Sequence, residues 1–99
     1  MIRGTTPALQ FTMPVDTAEL DCLYVTLAQH GIVVVDKCIT DCECDGANVT
    51  CCLTQKETLA INEMRPVELQ VRAKTKDGVA MASQILTLPA GRILKDGEI

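Results

Sequence analysis

The chain has 99 residues, of which 47% are apolar, and a formal net charge of −4. This length allows one domain with a thin core and leaves little room for a deep catalytic pocket. The acidic balance argues against nucleic-acid binding, which depends on a basic surface, and the only aromatic residues available for base stacking are Phe11 and Tyr24.

No run of about 18 apolar residues is present, so the sequence predicts no membrane span. Residues 1–7 lack the apolar region and cleavage site of a secretory signal. We therefore expect a protein that stays in the cytosol where it is made. In that reducing compartment the six cysteines are expected to be thiols.

Alternating apolar and polar residues, with turn signals about every ten residues, predict short β-strands of a sandwich or barrel. The first strand runs from Ala8 to Met13 and is ended by Pro14. Leu9, Phe11 and Met13 lie on one face of it because side chains alternate along a strand.

The second and third strands are predicted to form a hairpin that turns at Gln29-His30-Gly31. They run from Asp21 to Ala28 and from Ile32 to Ile39. A two-residue turn of His30 and Gly31 would place Leu27 opposite Val34.

A three-residue loop with Gly31 in the left-handed region would instead place Leu27 opposite Val33 and Val25 opposite Val35. We favour this loop because it collects five apolar side chains on one face: Leu23, Val25, Leu27, Val33 and Val35. A slip of one residue reverses every side chain, so the pattern of burial distinguishes the two registers.

The next hairpin joins Cys42–Cys44 to Val49–Leu53 through Asp45-Gly46-Ala47-Asn48. In this register Cys42 faces Cys51 and Cys44 faces Val49. The same pattern places Val49, Cys51 and Leu53 on one face and Cys52 on the other.

A short helix is predicted after this hairpin. Thr54 and Glu57 have the spacing of a capping box, in which a hydroxyl caps the helix and the third residue bonds back to it. We expect one or two helical turns from Gln55 to Leu59.

The last hairpin alternates regularly from Val67 to Lys74, turns at Lys76-Asp77-Gly78 and returns along Val79–Leu88. Residues 90–99 follow as a C-terminal arm, and residues 1–7 form an N-terminal arm. The C-terminal arm has no obvious strand partner, so it is either a packed edge or an arm for a neighbouring subunit. The arm residues predicted to make such contacts are Ile2, Arg3, Ile93, Leu94 and Ile99.

Six cysteines suggest a metal site, but no Cys-x-x-Cys pair is present, and Cys51 and Cys52 point to opposite faces. Cys42, Cys44 and Cys51 could share one face, where a fourth ligand is missing. The prediction is therefore small apolar thiols with no metal or cofactor. If disulfides form, the candidate pairs are Cys42 with Cys51 and Cys22 with Cys38. Cys52 is the thiol expected to react first.

Catalytic groups are sparse. A cysteine or serine nucleophile needs a base, usually histidine, and the only histidine is His30 at a predicted hairpin tip. The carboxylates are dispersed over outward faces and turns and do not suggest a hydrolytic pair. The sequence therefore predicts a protein that is not an enzyme.

Five segments carry a resemblance over nearly the whole chain: Met1–Pro7, Leu23–Gln29, Leu53–Leu59, Val67–Arg72 and Gly91–Gly97. Together they resemble a family of small uncharacterised bacterial proteins encoded in prophages or similar mobile regions. The pattern is also similar to the immunoglobulin-like N-terminal domain of phage baseplate upper proteins. The chain departs from the family at four positions, where cysteine stands in place of threonine or valine: Cys38, Cys44, Cys51 and Cys52.

We thus expect one domain, residues 1–99, folded as an immunoglobulin-like antiparallel β sandwich of about seven strands with one short helical turn. The resemblance implies a structural or assembly component of a phage tail, baseplate or neck. Its partners would be phage structural proteins or further copies of itself, in the cytoplasm or in the virion. The alternatives are a monomeric cytosolic binding or regulatory module and, third, a metal or redox protein that uses Cys42, Cys44 and Cys51.

Overall fold

A computed structural model, which describes residues 1–99, has the expected antiparallel β sandwich with one short helix. Turns of 3-10 helix occupy Thr17–Glu19 and Ile39–Asp41. The strands and the helix, in chain order, are β1 (Ala8–Thr12), β2 (Leu20–Gln29), β3 (Ile32–Cys38), β4 (Cys42–Asp45), β5 (Asn48–Cys52), α1 (Gln55–Leu59), β6 (Val67–Thr75), β7 (Ala80–Ala82) and β8 (Leu86–Leu88).

The two sheets have different widths. The smaller sheet has the order β1-β5-β4, and the larger has the order β3-β2-β6, with β7 and β8 both paired to the far side of β6. In the usual immunoglobulin order the second strand lies in one sheet with the first, fourth and fifth. Here β2 pairs with β3 and β6 instead, so the second strand belongs to the opposite sheet.

The predicted return strand Val79–Leu88 is divided into β7 and β8. The interruption lies at Ser83, whose N–H donates to the carbonyl of Val71 and whose hydroxyl accepts the N–H of Val71. A side chain here takes the place of a backbone acceptor, so the ladder breaks and the register along β6 shifts by one residue.

The core lies between the inner faces of the two sheets and is aliphatic. Alternation along β2 buries Leu23, Val25 and Leu27 completely. They belong to one core cluster with the inward-facing residues of β5 and the segment after it, namely Val49, Cys51 and Leu53. The predicted shared face of that hairpin is therefore confirmed.

The hairpin between β2 and β3 differs from the favoured prediction. The turn has two residues, His30 and Gly31, both with positive φ (51° and 78°). Ala28 lies opposite Val33, but a bulge then brings Val35 opposite Leu27.

Neither predicted register gives the observed pairs: Leu27 lies opposite Val35, where the favoured register placed Val33 and the alternative placed Val34. The turn matches the two-residue alternative, and the bulge around Val34 restores Val35 to the core face. Val33, which the favoured register placed in the core, is 56% exposed. With the two-residue turn alone, Val35 would lie opposite Thr26 and point outward. The bulge adds one residue to β3, which shifts the register by one and turns Val35 into the core.

The hairpin of β4 and β5 and the helix confirm the sequence predictions. Cys42 lies opposite Cys51 and Cys44 lies opposite Val49. The helix spans the predicted residues, and Thr54 Oγ1 accepts the N–H of Glu57 while the Glu57 carboxylate accepts the N–H of Thr54.

A buried glutamine ties the segment after the helix to β2. Gln29 Nε2 donates to the carbonyls of Asn62 (2.7 Å) and Arg65 (3.0 Å), and Gln29 Oε1 accepts the N–H of Asn62 (2.7 Å). Only 4% of Gln29 is exposed, and all its side-chain atoms with hydrogen-bonding capacity are used. This clamp fixes a loop that has no strand or helix of its own.

Replacing Gln29 with alanine is expected to lower the free energy of unfolding by about 3 kcal/mol, because three partly buried hydrogen bonds are lost. The measurement is urea denaturation followed by circular dichroism. Gln70→Ala is the matched control: it removes one exposed hydrogen bond to the Ser83 carbonyl and is expected to cost less than about 1 kcal/mol. Equal losses for the two variants would contradict the clamp.

Candidate functional sites

The two terminal arms pair with each other. Ile2 and Gly91 form a single parallel bridge, in which the Gly91 N–H donates to the Met1 carbonyl (2.7 Å) and the Arg3 N–H donates to the Gly91 carbonyl (3.1 Å). A Cβ atom at Gly91 would lie 2.7 Å from Cγ1 of Ile2, so this approach requires glycine. The C-terminal arm, for which the sequence offered no partner, has one in the N-terminal arm.

Both arms are also attached to the helix. The Arg3 guanidinium donates to the carbonyl of Leu59 (3.1 Å) and lies 3.3 Å from the Asp96 carboxylate. The side-chain amide of Gln55 bonds in both directions with the backbone of Ile99, at 2.9 and 3.2 Å. The arms therefore form part of the folded domain.

The paired arms nevertheless expose large apolar side chains. Leu94 is 95% exposed, Ile99 is 90% exposed and Ile2 is 52% exposed. We call these three residues the terminal surface. Arg3 and Ile93 were also predicted to make contacts outside the chain, but Arg3 binds within it and Ile93 lies beside Gly4. The structure thus brings the predicted arm residues together and leaves Ile2, Leu94 and Ile99 available.

The second candidate site is the cysteine pair in the hairpin of β4 and β5. Leu53 donates its N–H to the carbonyl of Pro7. Because hydrogen bonding alternates along an antiparallel strand, the backbone groups of Val49 and Cys51 also point to β1 and not to β4. Cys42 and Cys51 therefore form a non-hydrogen-bonded pair, the kind with Cα atoms about 4.5 Å apart. Both are free thiols.

The predicted pairing of Cys22 with Cys38 is wrong. Cys38 lies opposite Tyr24, and Cys22 lies opposite Lys74 on the other side of β2, so Cys22 and Cys38 do not face each other. The bulge in β3 moves Cys38 away from the position that the favoured register gave it. Cys44 lies opposite Val49 and therefore shares a face with Cys51, as predicted, but it is exposed at the edge of the sheet.

Burial suppresses ionisation of the facing thiols. Loss of solvation, with the nearby Cys51, raises the pKa of Cys42 to about 12. The pKa of Cys51 is also raised by burial, although the hydrogen bond with Cys42 and the charge of Lys37 work in the other direction. Because the thiolate is the nucleophile, this pair is chemically quiet.

An ion pair that the sequence analysis missed lies close to these thiols. Lys37 Nζ is 2.7 Å from a carboxylate oxygen of Glu57, and the side chains are 15% and 27% exposed. The hydrogen bond from Lys37 raises the lysine pKa. Burial opposes the charge on Glu57, but the hydrogen bonds from Lys37 and Thr54 outweigh it and lower the carboxyl pKa. No sequence pattern connects a strand lysine to a capping glutamate 20 positions away.

The remaining reactive groups do not converge. His30 is exposed at the tip of its hairpin, as predicted. Nowhere do three or more histidine, cysteine, aspartate or glutamate side chains gather closely enough to hold a metal ion. Cys52 is exposed on the outward face, where the alternation predicted it.

No protein-family model matches the chain, and neither a curated protein nor a solved structure was found to match it. None of the helices has the length and apolar character that crossing a bilayer requires.

Iodoacetamide labelling at pH 8 under reducing conditions is expected to modify Cys52 and Cys44 first. Cys42 and Cys51 are expected to react at least tenfold more slowly, because they are partly or fully buried and carry raised pKa values. Peptide mapping by mass spectrometry over time gives the order, and the chain unfolded in urea provides the reference in which all sites are open. Fast labelling of Cys51 in the folded chain would contradict the burial described here.

The raised pKa of Cys42 makes stability depend on alkaline pH. The folded chain keeps a proton that the unfolded chain releases above its ordinary pKa of about 8.5, so the free energy of unfolding falls as pH rises from there toward 12. Cys42→Ala is expected to reduce this decline. Urea midpoints of both proteins at pH 7, 9 and 10.5, with reductant, measure it, and parallel declines would show that other groups are responsible.

Proposed function

We propose that this chain is a non-catalytic structural or assembly component of a phage or prophage particle, in the tail, baseplate or neck, and that it acts through protein–protein contacts. It would be made in the cytoplasm of the bacterial host and incorporated into the particle. The resemblance of five segments to prophage-encoded proteins supports the setting. The observation that carries the mode of action is the terminal surface.

Exposed apolar groups of this size are costly to leave in water. Burying a leucine or isoleucine side chain is worth about 1.5–3 kcal/mol. Leu94 and Ile99 are almost wholly exposed, although the arms that bear them are fixed by hydrogen bonds to the rest of the domain. A fixed backbone that presents apolar side chains outward loses little conformational freedom on binding, which favours association.

A monomeric cytosolic binding or regulatory module is the second candidate. It is favoured by the pairing of Ile2 with Gly91, because arms bonded to their own domain are not free to exchange between subunits. The two candidates differ in oligomeric state.

The deciding experiment is solution mass by light scattering under reducing conditions. We expect a defined oligomer from the intact chain and a monomer from the double variant Leu94→Asp, Ile99→Asp. A chain ending at Pro89 should also be monomeric, but it loses the bridge to Ile2 as well, so the point variants give the cleaner result.

Met64→Asp is the matched control, since Met64 is 83% exposed and lies outside both arms. It should leave the oligomer intact. A monomeric intact chain at all concentrations up to about 1 mM would contradict self-assembly and favour the monomeric module.

A further inference from the structure

The sandwich is open along one flank because its sheets differ in width. At the other flank the chain crosses from β3 to β4 through three residues, Ile39–Asp41, which reach little further than the roughly 10 Å between packed sheets. This short crossing sets β4 over β3, so β5 lies over β2 and β1 lies over β6. The larger sheet therefore extends past β1 by one strand. The position beyond β1 is occupied by β7 and β8, which follow one another along the outer side of β6. We call this uncovered part of the larger sheet the overhang.

The overhang leaves apolar side chains without a cover. Leu86 is 56% exposed, and Met81 and Leu88 are half-buried, although all three lie on the inner face of the sheet. Beside them lies a groove of about 350 Å³. Its other wall is formed by Leu9 and Phe11 of β1 and by Met13, which follows β1. None of the thirteen residues that line the groove is charged. We call this groove the open slot.

The backbone of β1 faces the open slot. Met13 donates its N–H to Ala47 and Pro7 accepts the N–H of Leu53, so the odd-numbered residues of β1 bond to β5. Because bonding alternates along an antiparallel strand, the N–H and C=O groups of Ala8, Gln10 and Thr12 point the other way. The slot therefore combines an apolar lining with a free strand edge.

This edge lacks the protection that the other edges have. The β4 edge carries Glu43 and Asp45, the β3 edge carries Asp36, Lys37 and a bulge, and the edge of β7 and β8 is interrupted at Ser83. No charged residue occurs anywhere in residues 4–15, which include the whole of β1. An uncharged, regular edge strand is a template for pairing with another strand.

The shape of the slot excludes a folded second copy. Two β1 strands paired antiparallel are related by a twofold axis perpendicular to their sheet, so both larger sheets would lie on the same side and their overhangs would collide. The C-terminal arm of a second copy fits poorly too, because its charged residues Arg92, Lys95, Asp96 and Glu98 occupy both faces of an extended strand. What fits is one extended segment with apolar residues at alternate positions.

We propose that the open slot binds an extended segment of another protein, which adds as a strand antiparallel to β1 and places uncharged apolar side chains on Leu86, Met81 and Phe11. We infer the antiparallel direction because all pairings among β1–β8 are antiparallel. The inference goes beyond the proposed function: it names a different surface and holds whether or not the protein belongs to a phage particle.

The probe is an acetylated and amidated peptide that copies Val67–Thr75, in which apolar and polar residues alternate. Binding is followed by NMR titration of the ¹⁵N-labelled intact chain. We expect saturable shifts at the amides of Ala8, Gln10 and Thr12, and no such shifts with a scrambled peptide of the same composition. No saturable binding at 1 mM peptide would overturn the proposal.

Two modified peptides test the strand pairing itself. In an antiparallel pair, the peptide residues opposite Gln10 point outward, as Gln10 does, and exchange hydrogen bonds with it. N-methylation at the peptide positions equivalent to Gln70 and Arg72 should therefore weaken binding at least tenfold. N-methylation at the positions equivalent to Leu69 and Val71 should change it less than threefold, and the reverse order would overturn the antiparallel pairing.

Leu86→Asp tests the lining, with Ile85→Asp as its control. The two residues are adjacent and almost equally exposed, at 56% and 55%, but only Leu86 lines the slot. Leu86→Asp should weaken peptide binding at least tenfold and Ile85→Asp less than twofold.

A self-associated chain that becomes monomeric with Leu86→Asp would overturn the proposal, because the slot would then be filled by a second copy. The Leu94→Asp, Ile99→Asp variant should bind the peptide normally, so failure at the slot is distinct from failure at the terminal surface.

Discussion

The fold depends on the contact between the inner face of β2 and the inner face of β5. Leu23, Val25 and Leu27 are wholly buried there, against a layer that includes Val49 and Cys51. Without tryptophan and with a single phenylalanine, the protein builds this contact from short aliphatic side chains and a thiol. Such a core is thin, so few residues are fully enclosed. Apolar residues at its edge, such as Leu86 and Met81, stay partly exposed and are available to bind another chain.

The thin core explains why Cys42 and Cys51 are unreactive. Cys51 is fully buried where the pattern of β5 requires a small apolar side chain, and its neighbour Cys42 is partly covered by the same packing. Free cysteine serves well in this role, because its thiol is compact and weakly polar. The sulfur atoms of these two residues therefore contribute to the core by volume, and their surroundings suppress their reactivity.

Local patterns predicted the elements that depend on neighbouring residues. The capping box gave the helix, and the four-residue turn gave the register of β4 and β5. The hairpin at His30 was predicted less well, because the turn and the burial of Val35 require registers that differ by one residue, and only a bulge satisfies both. The alternation of apolar and polar residues shows which face of a strand is buried, but it does not show which strand lies beside it. The pairing of β2 with β6 and the bridge between Ile2 and Gly91 therefore could not be derived from the sequence. The open slot follows from the relative widths of the two sheets, which no single segment records.

The pairing of the arms has a mechanical consequence. Residues 1–3 and Gly91 run parallel and share two backbone hydrogen bonds. A pull that separates the two ends of the chain moves parallel neighbours in opposite directions along their common axis. Both bonds then carry the load at the same time instead of opening one after the other, so tension applied through the ends is resisted by shear before it reaches the sheets.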